Sequence, residues 1–188
     1  MSSPPSPRLA DALACAIAVH GGEIRRATGT SRIAHALAVA SFVLDHGGDE
    51  DQAAAALLHD VAETGGRARL EEIRARFGER AARIVEACTG DEPEPGRWAD
   101  RERLSARARD LPADARLVVA AEAVHDAYTI LRSLRTEGDA IWRRLGAAPD
   151  DVVWHYRALA RALREAGGGP LVDELERVVR GLERELGY

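Results

Sequence analysis

The sequence predicts an all-α protein, a single domain of about eight to ten helices. Apolar residues recur at helical spacing in one segment after another, as in Leu171, Leu175, Val178, Val179, Leu182 and Leu186. Alternating runs of β-branched residues, the mark of half-buried strands, are nearly absent. Glycines and prolines punctuate the periodic segments and supply their stops and starts. At 188 residues the chain is long enough to bury one sizeable core without staples.

Taken in order, residues 1–7 hold three Ser and three Pro and read as a loose leader, with the domain over 8–188. Pro7 suits the first turn of a helix running to about His20 and closed by Gly21-Gly22. Residues 23–32 form a polar loop, in which Thr30 or Ser31 is the N-cap of a helix carrying His35. Asp45 to Asp49 is a turn; Asp49 caps the next helix, which delivers His59-Asp60 and stops at Gly65-Gly66. Two short helices follow over 68–76 and 78–89, then a loop from Gly90 to Gly96 that Pro93 and Pro95 keep from being helical. Arg97 to Asp110 is charged and expected to be a solvated helix. Pro112-Ala113-Asp114 opens a long apolar helix with Glu122 and Asp126, Pro149 starts a helix to about Arg164, and Pro170 starts the last. Neither a repeat nor a domain linker interrupts this order.

Composition narrows the function classes. All 26 basic residues are Arg, a bias that fits a GC-rich coding sequence, and the net charge of -5 argues against a general nucleic-acid binder. Cys15 and Cys88 sit in apolar helical contexts, as buried free thiols do, and form neither a disulfide framework nor a zinc CxxC site. The leader lacks a cationic region followed by an apolar stretch, and no run approaches membrane-spanning length. A cytoplasmic protein with no membrane partner is expected.

His59-Asp60 is the most informative pair. It ends the apolar run Ala53-Ala54-Ala55-Ala56-Leu57-Leu58, where a charged carboxylate needs a partner, and a metal ion is the partner that also suits an imidazole. His35 lies inside Ile33 to Ala40, and Glu122 inside Leu117 to Glu122. Two imidazoles and two carboxylates on three apolar helices make a mixed nitrogen–oxygen site for Mn²⁺, Fe²⁺ or similar ions rather than tetrahedral zinc. The competing reading is a core His with an Asp that bonds local backbone.

Four blocks carry a family resemblance: His20-Gly21-Gly22-Glu23-Ile24-Arg25-Arg26; Arg32-Ile33-Ala34-His35 through Ala40; His59-Asp60-Val61-Ala62-Glu63-Thr64; and Val119-Ala120-Ala121-Glu122-Ala123-Val124-His125-Asp126. Over nearly the whole chain from His20 onward, this order resembles the stand-alone HD phosphohydrolases related to the hydrolase domain of the RelA/SpoT alarmone enzymes. The resemblance implies an HD-type bundle in which His35, His59, Asp60 and Glu122 hold one divalent metal, usually manganese. It implies a metal-activated water attacking a nucleotide pyrophosphate such as ppGpp, releasing pyrophosphate from the 3′ position. Glu63 then orients or deprotonates that water, and Arg25 and Arg26 meet the phosphates, a task that guanidinium forks suit. Trp98 and Arg101 fall in a W-x-x-R arrangement that either lines the pocket or packs.

Departures from the pattern cluster at the site. Thr64 stands where the family has an aspartate, so its place is among substrate contacts rather than as a carboxylate. Glu122 replaces an aspartate, Asp126 an asparagine and Tyr128 an arginine. Asp126 lies one turn beyond Glu122 on the same face and is a second candidate catalytic carboxylate or metal ligand. The alternatives are a degenerate, non-catalytic nucleotide- or metal-binding protein, or a phosphatase for another metabolite (an adenine alarmone, NADPH or a nucleoside monophosphate). His125 is expected to pack, and His46 to sit at a helix C-terminus.

Overall fold

A computed structural model describes residues 6–89 and 105–188. Its named elements are all helices: α1 (Pro7–His20), α2 (Arg32–Asp45), α3 (Glu50–Thr89), α4 (Ala113–Glu137), α5 (Ala140–Leu145), α6 (Pro149–Glu165) and α7 (Pro170–Leu186). Among the described residues the β pairing is one isolated bridge, Ile24 with Ser31. The expected all-α bundle is the fold of this chain.

Helix starts follow local chemistry. Ser6 accepts from the Arg8 N–H ahead of α1, and Ser31, one of the two residues proposed for the task, accepts from the Ala34 N–H ahead of α2. At α3 the Gln52 N–H donates to Asp49 Oδ1 (3.1 Å) while the Asp49 N–H donates to Gln52 Oε1 (3.0 Å), a reciprocal capping box. Prolines 149 and 170 sit in the first turns of α6 and α7. The backbone of α3 breaks at Gly66 (φ 57°, ψ −147°) and Gly78 (φ 88°, ψ 165°). These left-handed values cost a side chain dearly, so the two glycines divide α3 into the three segments read from the sequence.

The helices pack around α4, which touches α2, α3, α5, α6 and α7; α3 in turn packs on α1 and α2. α4 is buried nearly all round, from Ala115 to Leu134. Arg80 ties the starts of α3 and α4 together, donating to Asp49 (2.6 Å) and Asp114 (3.1 Å), and Gln52 Nε2 donates to the Asp114 carbonyl. The apolar stripe of α7 is buried on the bundle at Leu171, Leu175, Val178, Val179 and Leu182.

Three details differ from the sequence reading. The short helix α5, held by buried Ile141 and Trp142, was not foreseen, because six residues are too few to display a period. Cys15 is buried as expected, but Cys88 is only half-buried. The polar loop 23–32 closes on itself: the Arg25 N–H donates to the Thr30 carbonyl (2.7 Å) and the Arg32 N–H to the Glu23 carbonyl (3.1 Å). Of the expected helix over Arg97–Asp110, residues 97–104 lie outside the described residues, and 105–107 are helical.

Leu175 is fully buried. Leu175→Ala is expected to cost about 2–5 kcal/mol in urea unfolding, and Leu175→Met less than about 1.5 kcal/mol. Equal, small losses would show that α7 is not part of the core.

Candidate metal centre

His35 comes from the second turn of α2, after the Ser31 cap, and His59-Asp60 from the first segment of α3. His35, His59, Asp60 and Asp126 are 0%, 1%, 5% and 7% exposed, so four titratable groups share the interior. The α3 run that leads to His59-Asp60, Ala53 to Leu58, is buried throughout. His59 Nδ1 lies 2.7 Å from the Ala56 carbonyl oxygen, an acceptor only, so Nδ1 bears the proton and Nε2 faces inward. It stands 3.1 Å from His35 Nε2, with Asp60 Oδ1 3.4 Å from the same His59 nitrogen. Two nitrogens about 2.1 Å from one ion and at right angles would stand about 3 Å apart.

The donor set fits a divalent ion on a second count. Asp60 Oδ2 is buried and has no hydrogen-bond partner among the described residues; the Arg32 guanidinium, 3.4 Å away, is its counter-charge. Arg32 is itself held by Glu23 (3.0 Å), and Glu23 by His20 (3.0 Å). Such outer contacts orient a ligating carboxylate. His35, His59 and Asp60 therefore form one group able to hold a metal, and His35, His125 and Asp126 form another.

The second group was missed from sequence, although a signal for it existed. His-Asp occurs twice in helices, at 59–60 and at 125–126. His35 stands between the two pairs: its Nε2 faces His59, and its Nδ1 lies 2.8 Å from His125 Nδ1 and 3.4 Å from Asp126 Oδ1. His125, expected to pack, belongs to this cluster.

Electrostatics follow from burial. Desolvation pushes His35 down from its ordinary 6.5 to about 3; Asp126 opposes this, while Arg25 and His59 add to it. His125 is also lowered, chiefly by burial. For Asp60 burial acts upward, but His59, His35, Arg25 and Arg32 together hold its pKa below the ordinary value. Arg25 is desolvated too, yet Asp126 holds its charge more firmly than in water. Its two terminal nitrogens fork onto both carboxylate oxygens of Asp126 (2.5 and 3.1 Å), and Nη1 also reaches His35 Nδ1 (3.0 Å).

The remaining sequence candidates are spread out. Glu122 is half-buried on α4, one turn before Asp126, and near enough to act on the Arg25 charge, but it lies outside both metal-capable groups. Arg26 is exposed. Thr64 is exposed and its hydroxyl donates to the Asp60 carbonyl (3.1 Å). Glu63 follows Asp60 in α3; its side chain, with Trp98 and Arg101, lies outside the described residues. His46 bonds the Phe42 carbonyl at the end of α2 (2.8 Å). A surface groove of about 330 Å³ between α6 and α7 is a different matter. Its Arg157 and Arg164 are paired with Glu183 and Glu176, as on an ordinary solvated face.

Comparison with known proteins adds three findings. The profile of the HD domain family matches residues 12–154. A Synechocystis protein named probable guanosine-3′,5′-bis(diphosphate) 3′-pyrophosphohydrolase is 48% identical over 65 residues, and an Aquifex aeolicus pyrophosphohydrolase of the same designation is 46% identical over 68. Those stretches cover 35% and 36% of this chain but only 8% and 10% of the relatives. The fold is shared with the solved structure of a metazoan ortholog of SpoT described as hydrolysing ppGpp (TM-score 0.73, 23% identity, 99% of each chain). It is shared as well with a Listeria monocytogenes protein (TM-score 0.69, 23% identity, 78% of this chain and 96% of that one).

The depressed His35 pKa has a stability consequence in metal-free protein. As pH falls below 6.5 the unfolded chain takes up a proton at this His, while the folded chain does not until about 3. Its contribution is therefore complete above 6.5 and is lost progressively below it. Urea unfolding of chelator-treated protein should give lower stability at pH 5 than at pH 7, with a shallower fall in His35→Asn. An unchanged midpoint between these pH values would mean that His35 is not held neutral.

Proposed function

The chain belongs to the HD domain family, and from that premise we propose that it is a divalent-metal-dependent phosphohydrolase acting on a nucleotide pyrophosphate, with ppGpp or pppGpp as the substrate and Mn²⁺ as the ion. The observation that carries this is the facing pair His35 Nε2 and His59 Nε2 with Asp60 beside them, buried and next to the Arg25 guanidinium. The names of the curated relatives supply the substrate class.

In this reading His35, His59 and Asp60 hold the ion, with Glu122 the fourth ligand. A bound divalent ion supplies Lewis acidity and lowers the pKa of a coordinated water. Glu63 takes up the proton of the attacking water, and Asp126 is the second carboxylate on α4. Arg25 and Arg26, on the loop before α2, receive phosphate oxygens; Thr64, Trp98 and Arg101 complete the substrate contacts. Attack at the 3′ phosphorus breaks the ester bond, so pyrophosphate leaves with the water oxygen and the nucleoside regains its 3′ hydroxyl. A nucleotide substrate also supports the reading of a cytoplasmic protein. Among the described residues no helix is long and apolar enough to cross a membrane.

One observation favours the non-catalytic alternative. The Arg25 fork is engaged by Asp126, so a phosphate arriving there meets a guanidinium already in use.

The test is ppGpp turnover by protein shown by metal analysis to carry Mn²⁺, read as pyrophosphate and GDP. Release of both supports the proposal, and a metal-loaded protein that turns over no guanosine tetra- or pentaphosphate overturns it. Two variants separate roles. Glu122→Ala is expected to lower bound Mn²⁺ strongly, whereas Glu63→Ala keeps the metal and loses turnover. Undiminished metal in the Glu122 variant would remove Glu122 from the ligand set.

A further inference from the structure

Hydrogen bonds around His35 determine which of its nitrogens carries the proton. His59 donates from Nδ1 to the Ala56 carbonyl (2.7 Å), so His59 Nε2 offers a lone pair. His35 Nε2, 3.1 Å away, must then be the donor between them. On its other edge, Arg25 Nη1 can only donate, and it lies 3.0 Å from His35 Nδ1. That nitrogen therefore accepts. His125 Nδ1 also lies 2.8 Å from that nitrogen, whose single lone pair the Arg25 N–H already engages. The His59–Ala56 bond and the Arg25 contact thus give one tautomer of His35, with the proton on Nε2. In that tautomer the nitrogen facing His59 and Asp60 has no lone pair for an ion.

We infer that His35 is a two-position tautomer switch that makes Arg25 and the divalent ion mutually exclusive partners, with Asp126 as the positioning carboxylate that throws it. This rests on the metal reading above. With Arg25 on Nδ1, the proton sits at Nε2 and the metal position is closed. Coordination through Nε2 requires the same proton at Nδ1, and there the Arg25 N–H becomes a donor facing a donor. Asp126 Oδ1, 3.4 Å from His35 Nδ1, is the acceptor that position needs. Asp126 then exchanges partners, from the Arg25 fork to the imidazole, and becomes the outer carboxylate of a metal-bound histidine. The ring keeps one proton throughout. Arg25, released from both Asp126 and His35, becomes available to an anionic ligand. Metal first and phosphate second is the order this arrangement imposes, and the carboxylate at 126 is what imposes it. An asparagine there would hold Arg25 without a charge.

The experiment uses the full chain and two readouts besides activity. Long-range proton–nitrogen NMR of the histidine rings, without metal and with saturating Zn²⁺ as a diamagnetic probe, reports the His35 tautomer. The proton is expected on Nε2 without metal and on Nδ1 with it. Calorimetric titration with Mn²⁺ reports the antagonism: Arg25→Met should bind the ion about tenfold more tightly than the unaltered chain, and Asp126→Ala about ten- to a hundredfold more weakly. A His35 tautomer that does not change on loading overturns the inference, as does an Arg25→Met protein that binds Mn²⁺ no more tightly. Should that variant fail to fold, the NMR comparison on the unaltered chain decides alone. If the unaltered chain binds neither ion, the metal reading falls and the inference with it; binding with an unchanged tautomer overturns the inference only.

Discussion

Helices α2, α3 and α4 pack on one another and bury many alanines. Ala36 and Ala40 on α2, Ala53 to Ala56 on α3, and Ala120, Ala121 and Ala123 on α4 are all buried. The distance between packed helices is set by the side chains at their contact, and alanine sets it short. Only then can three imidazoles, none with a reach beyond its ring, touch across three helices. Burial at this meeting is why His35 is held neutral and why Arg25 needs a carboxylate beside it. Packing, protonation state and ligand geometry here have one cause.

Burying an arginine among histidines is costly unless its charge is answered and its donors are used. Asp126 answers both demands with two oxygens for two nitrogens. On the opposite side of the cluster Arg32 does for Asp60 what Asp126 does for Arg25, with Glu23 on Arg32 and buried His20 on Glu23. The interior thus has one carboxylate answered from each side, with His35 as the neutral spacer. It is an arrangement that keeps two acids, normally poor neighbours of a hydrophobic core, ionised within it.

Much of this was legible in the sequence because the relevant signals are local. Caps at Ser31 and Asp49, prolines at 149 and 170, and breaks at Gly66 and Gly78 act within one turn, so they show in a short window. His59-Asp60 was legible for a different reason: charge in an apolar run has few explanations. What stayed hidden were partnerships over long separations. Arg25 and Asp126 are 101 positions apart, and nothing in either's surroundings names the other. Asp126 read as an addition to Glu122 because helical spacing joins them, whereas in three dimensions it is joined to the loop before α2. His125 was set aside as a packing residue because one His on an apolar face usually is; its adjacency to an aspartate, repeating the 59–60 pair, was the signal that distinguished it.

The loop that carries Arg25 is closed across its base by the bridge between Ile24 and Ser31, and by the bonds from Arg25 to Thr30 and from Arg32 to Glu23. Its tip, residues 26–29, lies beyond those bonds but is held by the Gly29 N–H on the Arg25 carbonyl (2.8 Å) and by Arg144 on the Ala27 carbonyl (3.2 Å). A length change at the tip acts first on the Gly29 turn bond, while a single residue gained or lost at the base would shift the guanidinium by a full backbone step, about 3.8 Å. In lineages descended from such a chain, the tip is the freer of the two to diversify and can accumulate new substrate contacts. The base is bound to keep its register for as long as Arg25 has work to do.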